Sequence, residues 1–204
     1  MSWIAVAGEG VNWRHPDWAG AQDRLLACGT LMAEARIGAG PRPERLVTLE
    51  RRTPWPASLS LTAVPGEGLA LVMMQGAQVF QSVLALPAER REETLRITFA
   101  WDSPARWGRL AVELADGTVL ACRETGAPPP LTGADAHALR RGGTVFAALS
   151  AAVEPLGPVP GLSAETPVET PDGARFGAGL RRGVRVRTAE GRAVPVLATP
   201  ARRV

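Results

Sequence analysis

The sequence predicts a mainly β protein, an antiparallel β-sandwich of the jelly-roll kind followed by a short β-rich tail. Short apolar runs alternate with polar residues at a period of two, and turn residues separate one run from the next. Helical patterns are confined to two short segments. Because side chains alternate across a strand, this pattern places one face of each strand in a core.

Strand-like segments follow one another through most of the chain. They cover residues 31–37, 46–50, 59–64, 69–74, 79–84, 95–101, 109–114, 119–123 and 144–153. The dipeptide Asp116-Gly117 lies between two of them and is a strong hairpin signal, because glycine tolerates positive φ. Pro104 ends the strand that holds Trp101, since proline supplies no ladder donor. These turns favour antiparallel neighbours.

Two segments are typical of helix. Residues 16–26 could form a turn or two, and residues 133–141 fit a helix that Gly142-Gly143 closes. Three consecutive prolines, Pro128 to Pro130, precede the second segment.

A proline- and glycine-rich stretch at residues 155–161 predicts a stiff linker. It divides the chain into a sandwich over residues 1–154 and a tail over residues 162–204. A chain of 204 residues suits one domain of ordinary size with an appendage, or two small domains.

The charge is unevenly distributed, although the formal net charge is only +3 and all 23 basic residues are arginine. From residue 161 onward, 8 arginines face 4 acids, and the remainder has 23 − 8 = 15 arginines and 20 − 4 = 16 acids. A basic tail could meet an acidic partner. No helix-turn-helix, zinc or aromatic RNA-binding signature accompanies it, so we expect no nucleic-acid partner.

The N-terminal residues show neither a basic region nor a sustained apolar run. We therefore expect synthesis in the cytoplasm without a Sec signal and no membrane span, with export by a signal-less route or assembly into a particle left open. Cys28 and Cys122 do not make a disulfide framework. Both lie in apolar surroundings, so we expect buried thiols, and the sequence leaves open whether they pair.

The start of the tail carries a family resemblance. Thr166, Val168 and the Asp172-Gly173 turn fall where Hint modules have a threonine, a β-branched residue and an Asp-Gly turn. The tail therefore resembles the opening of a Hint module, the self-cleaving domain of inteins and Hedgehog proteins. The same register places Gly161 at the nucleophile position, and glycine has no side chain with which to attack a carbonyl.

The resemblance implies a truncated and inactive remnant. Hint chemistry also uses a histidine downstream of the nucleophile, but His15 and His137 both precede Gly161. Active autoprocessing would require the sequence to be a fragment of a longer protein. The basic residues of the tail predict an interaction arm formed by Arg181, Arg182, Arg185 and Arg187.

The body, over roughly residues 20–154, resembles the concanavalin A-like, laminin-G-type jelly roll that precedes Hint modules in some alphaproteobacterial proteins. Residues 29–36, residues 95–102 and the hairpin at Asp116-Gly117 carry this resemblance. It implies two packed antiparallel sheets and the glycan-binding surfaces that such domains often have.

Aromatic side chains beside polar ones are the candidate ligand contacts, and caps at the ends of the sandwich are the alternative role for the tryptophans. The candidates are Asn12, Trp13, Asp17, Trp18, Trp55, Trp101, Asp102 and Trp107, of which residues 12–18 are expected to form a loop. We expect no metal, because the histidines are far apart and lack spaced cysteine or carboxylate ligands. No phosphate loop or nucleophile elbow appears, so we expect neither a cofactor nor enzymatic activity.

The leading interpretation is a non-enzymatic binding or structural-interaction protein with a protein partner or a place in a larger assembly. A carbohydrate-binding, lectin-like module is the first alternative, and an autoprocessing Hint protein is the second.

Overall fold

The structure, a computed structural model, describes residues 3–37, 40–53, 55–87, 93–157, 162–181, 183–189 and 191–196. The chain divides into two compact units, Met1–Pro158 and Val159–Val204. This boundary falls in the segment predicted as a linker, of which residues 158–161 lie outside the described residues.

The first unit is built almost entirely of strands. Its elements are β1 (Trp3–Gly8), β2 (Val11–Arg14), α1 (Pro16–Ala19), β3 (Leu25–Leu26), β4 (Cys28–Arg36), β5 (Glu44–Arg51), β6 (Ala57–Val64), β7 (Gly68–Gln75), β8 (Gln78–Ala85), β9 (Thr94–Asp102), β10 (Trp107–Glu113), β11 (Val119–Gly126), β12 (Leu131–Thr132), α2 (Gly133–Ala138), β13 (Arg140–Arg141) and β14 (Phe146–Ser150).

Two antiparallel sheets form the predicted β-sandwich, which is confirmed. Sheet A has the strand order β11-β10-β9-β4-β14-β1-β2, and sheet B has the order β13-β5-β6-β7-β8. The short strands β3 and β12 pair separately. Neighbours in sheet A such as β4, β9 and β14 are far apart in sequence, so long-range pairing defines this architecture.

The core lies between the inner faces of the two sheets. In β6 every second residue is buried, as the period-two pattern predicts. Sheet A contributes Leu31, Ile97, Phe99, Trp101 and Leu110, and sheet B contributes Leu49, Leu59, Leu61, Leu71 and Met73. Burying an apolar side chain of this size stabilises a fold by about 1.5–3 kcal/mol. This layer therefore holds the sheets together.

Three local predictions differ from the structure. The second helix ends at Ala138 rather than at residue 141, because Arg140 and Arg141 pair with β5 as β13. The last strand of the body spans Phe146–Ser150 and is shorter than residues 144–153. The expectation of buried thiols was wrong for Cys122, which is exposed, while Cys28 is half-buried; both are free.

The second unit consists of two hairpins. β15 (Pro167–Thr170) pairs with β16 (Gly173–Phe176), and β17 (Arg185–Arg187) pairs with β18 (Ala193–Pro195), with a 3₁₀ turn at Gly177–Gly179 between them. Gly173 has a φ of 109°, which is the conformation that the predicted Asp-Gly turn requires. In the described part of the chain, no helix is long and apolar enough to cross a membrane.

Candidate functional site

The cluster of candidates near the N-terminus forms a strand and a helical turn, so the predicted loop was wrong. Asn12 and Trp13 lie on β2, an edge strand of sheet A, while Asp17 and Trp18 lie on α1. Trp18 is buried in the core, and half-buried Trp13 packs against the apolar side chain of Val6. Asn12 and Asp17 are exposed. The cluster therefore presents little aromatic surface.

Trp101 cannot be a ligand platform, and this candidate is corrected. Its side chain is 0% exposed, because it points from β9 into the core and stacks on Phe99 with ring centroids 5.7 Å apart. Its indole N–H donates to the backbone oxygen of Leu26 at 3.1 Å. The indole N–H of Trp101 therefore has its hydrogen-bond acceptor inside the protein.

Asp102 and Trp107 are cross-strand neighbours at one end of sheet A. The Asp102 carboxylate accepts a hydrogen bond from the amide of Ala105 and so fixes the turn between β9 and β10. The Trp107 ring is half-buried, with the Arg109 guanidinium 5.4 Å from its centroid and its N–H donated to Glu124 at 3.3 Å. Each polar group here has an internal partner.

Trp55 is the exposed tryptophan of the chain, with 47% of its surface open to solvent. It lies in the connection between β5 and β6. The guanidinium of Arg51 lies 5.1 Å from the centre of its ring, and Arg51 also donates to the Trp55 backbone oxygen at 3.1 Å. The ring is thereby held in place while much of it stays accessible.

A buried ion pair anchors this connection. Arg51 Nε donates to Asp135 Oδ1 at 2.8 Å, and both side chains are at least 96% buried. Asp135 lies in the first turn of α2, where its other oxygen accepts hydrogen bonds from the Thr132 amide and hydroxyl at 2.8 and 2.9 Å. This is a capping box, so the same carboxylate fixes the helix and the arginine.

An open cleft of about 570 Å³ lies at the same end of sheet B. Glu50, Ser58 and Met74 form one row across β5, β6 and β7, because they are directly paired. The remaining lining residues are Arg51, Arg52, Pro56, Ala57 and Gly76. Trp55 is not one of these lining residues, but it contacts Arg51 and precedes Pro56, both of which line the cleft. The cleft combines charged, hydroxyl and apolar groups.

A second group of polar side chains lies on the outer face of sheet A. Glu34, Arg96 and Glu113 stand side by side on the adjacent strands β4, β9 and β10. All three are more than 90% buried. Arg96 Nε is 3.6 Å from Glu34 Oε1, an ion-pair distance. Sequence reasoning missed this row, since its members are distant along the chain.

The segment of residues 151–157, here called the strap, lies across this face. The Thr30 hydroxyl donates to the backbone oxygen of Ala152 at 2.9 Å and accepts from the amide of Glu154 at 2.8 Å. Arg109 donates to the Glu154 backbone oxygen at 3.3 Å, and the amide of Gly157 donates to Glu113 at 2.5 Å. The first residues of the predicted linker, 155–157, are therefore fastened to the sandwich.

Burial on this face raises the pKa of the Glu113 carboxyl above its ordinary value. The Gly157 amide, the Arg109 guanidinium and the nearby Thr98 hydroxyl oppose the shift, although Thr98 makes no hydrogen bond of ordinary geometry. The native state holds this proton to higher pH than the unfolded chain does. Glu113 therefore favours folding at low pH and opposes it once the carboxyl ionises.

The basic residues of the tail lie on exposed backbone. Arg185 and Arg187 share one face of β17, and Val186 lies half-buried on the other, as alternation predicts. Arg181 donates to the backbone oxygen of Ala178 at 2.6 Å, while Arg182 lies outside the described residues. A role in binding stays a prediction for all four arginines. Gly161, the expected nucleophile position, is likewise not described.

Within the described ranges, no group of three or more histidine, cysteine or acidic residues could hold a metal ion. The prediction of a protein without a metal site stays untested beyond this observation.

Comparison with known proteins gives only distant structural likenesses. No family model matches the chain, and no curated protein matches it with significance. A CBM40 domain of the Ruminococcus gnavus IT-sialidase, solved with α2,3 sialyllactose, is 10% identical, with a TM-score of 0.45 over 76% of this chain and 89% of that one. The CBM2 module of the evolved Dit of Lactobacillus casei BL23 phage J-1 is 10% identical, with a TM-score of 0.39 over 64% of each chain.

A tailspike protein of bacteriophage CBA120 gives a TM-score of 0.37 at 10% identity, over 77% of this chain and 26% of that one. Scores below 0.5 carry no conclusion about the ligand or the activity of this chain. None of the structures named here is a Hint module, so that resemblance stays a prediction.

Proposed function

We propose that the protein is a non-catalytic carbohydrate-binding module and that the cleft beside Trp55 holds the sugar. One observation carries the proposal: the half-exposed ring of Trp55 is fixed by Arg51, a residue that also lines a cleft with polar walls. A sugar offers a C–H face that packs on an indole and hydroxyl groups that pair with charged side chains. Ligand sites commonly combine apolar surface with a few convergent polar groups.

The polar groups of the cleft suit this ligand. Glu50 accepts hydrogen bonds, Arg52 donates them, and the Ser58 hydroxyl can do both. Met74 adds an adaptable apolar surface, 46% exposed, on the neighbouring strand. A hydroxyl-rich ligand can therefore find donors and acceptors without displacing the buried pair beneath.

The non-catalytic part of the proposal rests on the acids of the cleft. Hydrolysis of a glycosidic bond ordinarily uses two carboxyl groups about 5–10 Å apart. Among the described residues that line the cleft, Glu50 is the one acid. This composition favours binding over cleavage.

The test is a glycan array of neutral and acidic polysaccharides, followed by calorimetric titration of the best ligand. Trp55→Ala should weaken binding at least tenfold, about 1.4 kcal/mol, because it removes the stacking surface. Trp107→Ala is the matched control and should leave the affinity unchanged. If Trp107→Ala alone lost binding, the site would lie on sheet A instead. A glycan array without any signal would contradict the proposal.

We also propose that the second unit is an inactive Hint remnant that serves as an interaction arm. The hairpin at Asp172-Gly173 and the exposed arginines of β17 support this reading. A single species of full mass after expression is expected. Two pieces divided near Pro160-Gly161 would contradict it and would favour autoprocessing.

A further inference from the structure

The outer face of sheet A contains buried donors without acceptors. In the described part of the chain, Nε and both terminal nitrogens of Arg96 have no hydrogen-bond partner, although the side chain is 98% buried. Arg109 Nε is also unpartnered. The Glu34 carboxylate lies 3.6 Å from Arg96 Nε. The two terminal nitrogens of Arg96 therefore remain without a hydrogen-bond acceptor.

Such donors are expensive to leave unpaired. A buried donor without a partner costs about 1–3 kcal/mol, and a charged one costs more. Replacing a whole buried ion pair with apolar residues of similar volume is often neutral or stabilising, whereas removing one partner alone is strongly destabilising. A charged group kept at this cost indicates that an acceptor arrives from outside the chain.

The local charges restrict what that acceptor can be. Glu34 and Glu113 flank Arg96 directly, and Arg109 lies on β10, on the same face as Glu113. Glu154 of the strap, whose carboxylate accepts from the Ser150 hydroxyl at 2.6 Å, is a third acid on this face. A doubly charged phosphate would be repelled by these carboxylates, whereas a carboxylate adds one charge and matches the guanidinium fork with two parallel hydrogen bonds.

The strap controls access to this position. Gly157 at its end bonds to Glu113, which is the cross-strand neighbour of Arg96. Most of the strap's hold on the face consists of hydrogen bonds from side chains to its backbone, and Thr30 supplies two of them. A few such bonds can open without loss of the core, since no residue of the strap belongs to the buried core cluster.

We propose that the outer face of sheet A is a second ligand site, in which the terminal nitrogens of Arg96 bind a carboxylate group and the strap closes over the empty site. The carboxylate belongs to a small ligand, either a sugar acid or an acylated amino acid. This site is separate from the cleft beside Trp55, so either can fail without the other.

The test uses the full chain and two named probes, D-galacturonate and N-acetylglycine, with D-galactose and N-acetylglycinamide as their neutral counterparts. Binding is followed by amide chemical shifts at probe concentrations up to about 10 mM, which suit a weak carboxylate ligand. Thr30→Val removes both strap contacts of that hydroxyl and should tighten binding about threefold or more, because closure no longer competes. Thr48→Val, on the outer face of sheet B, is the matched control and should change nothing.

Arg96→Met should abolish binding of the carboxylates. It should also lower the melting temperature, because it removes one partner of the buried Arg96–Glu34 pair. Trp55→Ala should leave these titrations unchanged. The two carboxylate probes distinguish a sugar acid from an acylated amino acid. Two results would overturn the proposal: equal binding by a folded Arg96→Met protein, or no binding of either carboxylate by the Thr30→Val protein.

Discussion

At the scale of single residues, Arg51 connects the parts on which the proposed sugar site depends. Its guanidinium bonds to Asp135 on α2, to the backbone oxygen of Trp55 and, through its cationic face, to the indole of Trp55. The arginine is 92% buried, whereas the ring that it supports is half-exposed. The buried Arg51 side chain thus holds the accessible Trp55 ring in position, which limits the conformational entropy lost when a ligand binds.

Asp135→Asn should therefore weaken both the fold and the cleft. The substitution leaves the Arg51 guanidinium buried without its counter-charge, and breaking such a pair costs about 3–5 kcal/mol. We expect a lower urea midpoint and weaker sugar binding. Asp17→Asn, on an exposed side chain, should change stability by less than about 0.5 kcal/mol. Equal effects of the two substitutions would show that the buried pair does not anchor the site.

The roles of individual tryptophans could be predicted only in part. Trp55 follows a strand-like segment and Trp101 ends one, yet Trp55 is 47% exposed and Trp101 is 0% exposed. Alternation along residues 95–101 placed Trp101 on the same face as Leu95 and Ile97, which already indicated the core. Exposure of Trp55 depends on Arg51 and Asp135, which are 84 residues apart, and no local pattern encodes that contact.

At the scale of elements, β4 is the strand on which sheet A is organised. It pairs with β9 on one side and β14 on the other, and so brings together three distant parts of the chain. Gly29 lies where β4 passes closest to its surroundings. A β-carbon at this position would lie 2.6 Å from the Ser150 backbone oxygen and 2.6 Å from the Trp101 ring.

Gly29→Ala should consequently destabilise the first unit by about 1–3 kcal/mol, the usual cost of overpacking a core. Gly20→Ala is the matched control, because that position has no atom within 4 Å of a new β-carbon and a φ of −97°. Urea unfolding of both variants measures the difference. A Gly29→Ala protein as stable as Gly20→Ala would mean that β4 and β14 pack less closely than described.

Strands with clear alternation could be predicted from the sequence, and elements defined by distant partners could not. Alternating β6 was predicted at residues 59–64 and spans Ala57–Val64. The consecutive apolar residues of β1 gave no alternation, because both faces of that strand are covered: Ile4 lies in the core and Val6 in the second apolar cluster. The end of α2 was misjudged because pairing with β5 outweighs helical preference at Arg140.

At the scale of the whole molecule, the sandwich has two faces with different chemistry. The end of sheet B carries an open cleft beside an exposed ring, whereas the outer face of sheet A carries buried charges beneath the strap. The strap is fastened by contacts between residues 44 to 124 positions apart, and the sequence of residues 155–157, predicted as part of a linker, does not indicate this attachment. The sandwich could be predicted from the alternation of apolar and polar residues, whereas both proposed sites depend on contacts between residues that are distant in the chain.

The central claim is that the first unit binds carbohydrate through the cleft beside Trp55. Calorimetric titration of the intact chain and of Trp55→Ala with the strongest ligand from the glycan array tests it most directly. The account predicts saturable binding by the intact chain and an affinity at least tenfold lower, about 1.4 kcal/mol, for the variant. Equal affinities for the two proteins, with the Trp55→Ala protein folded, would contradict it.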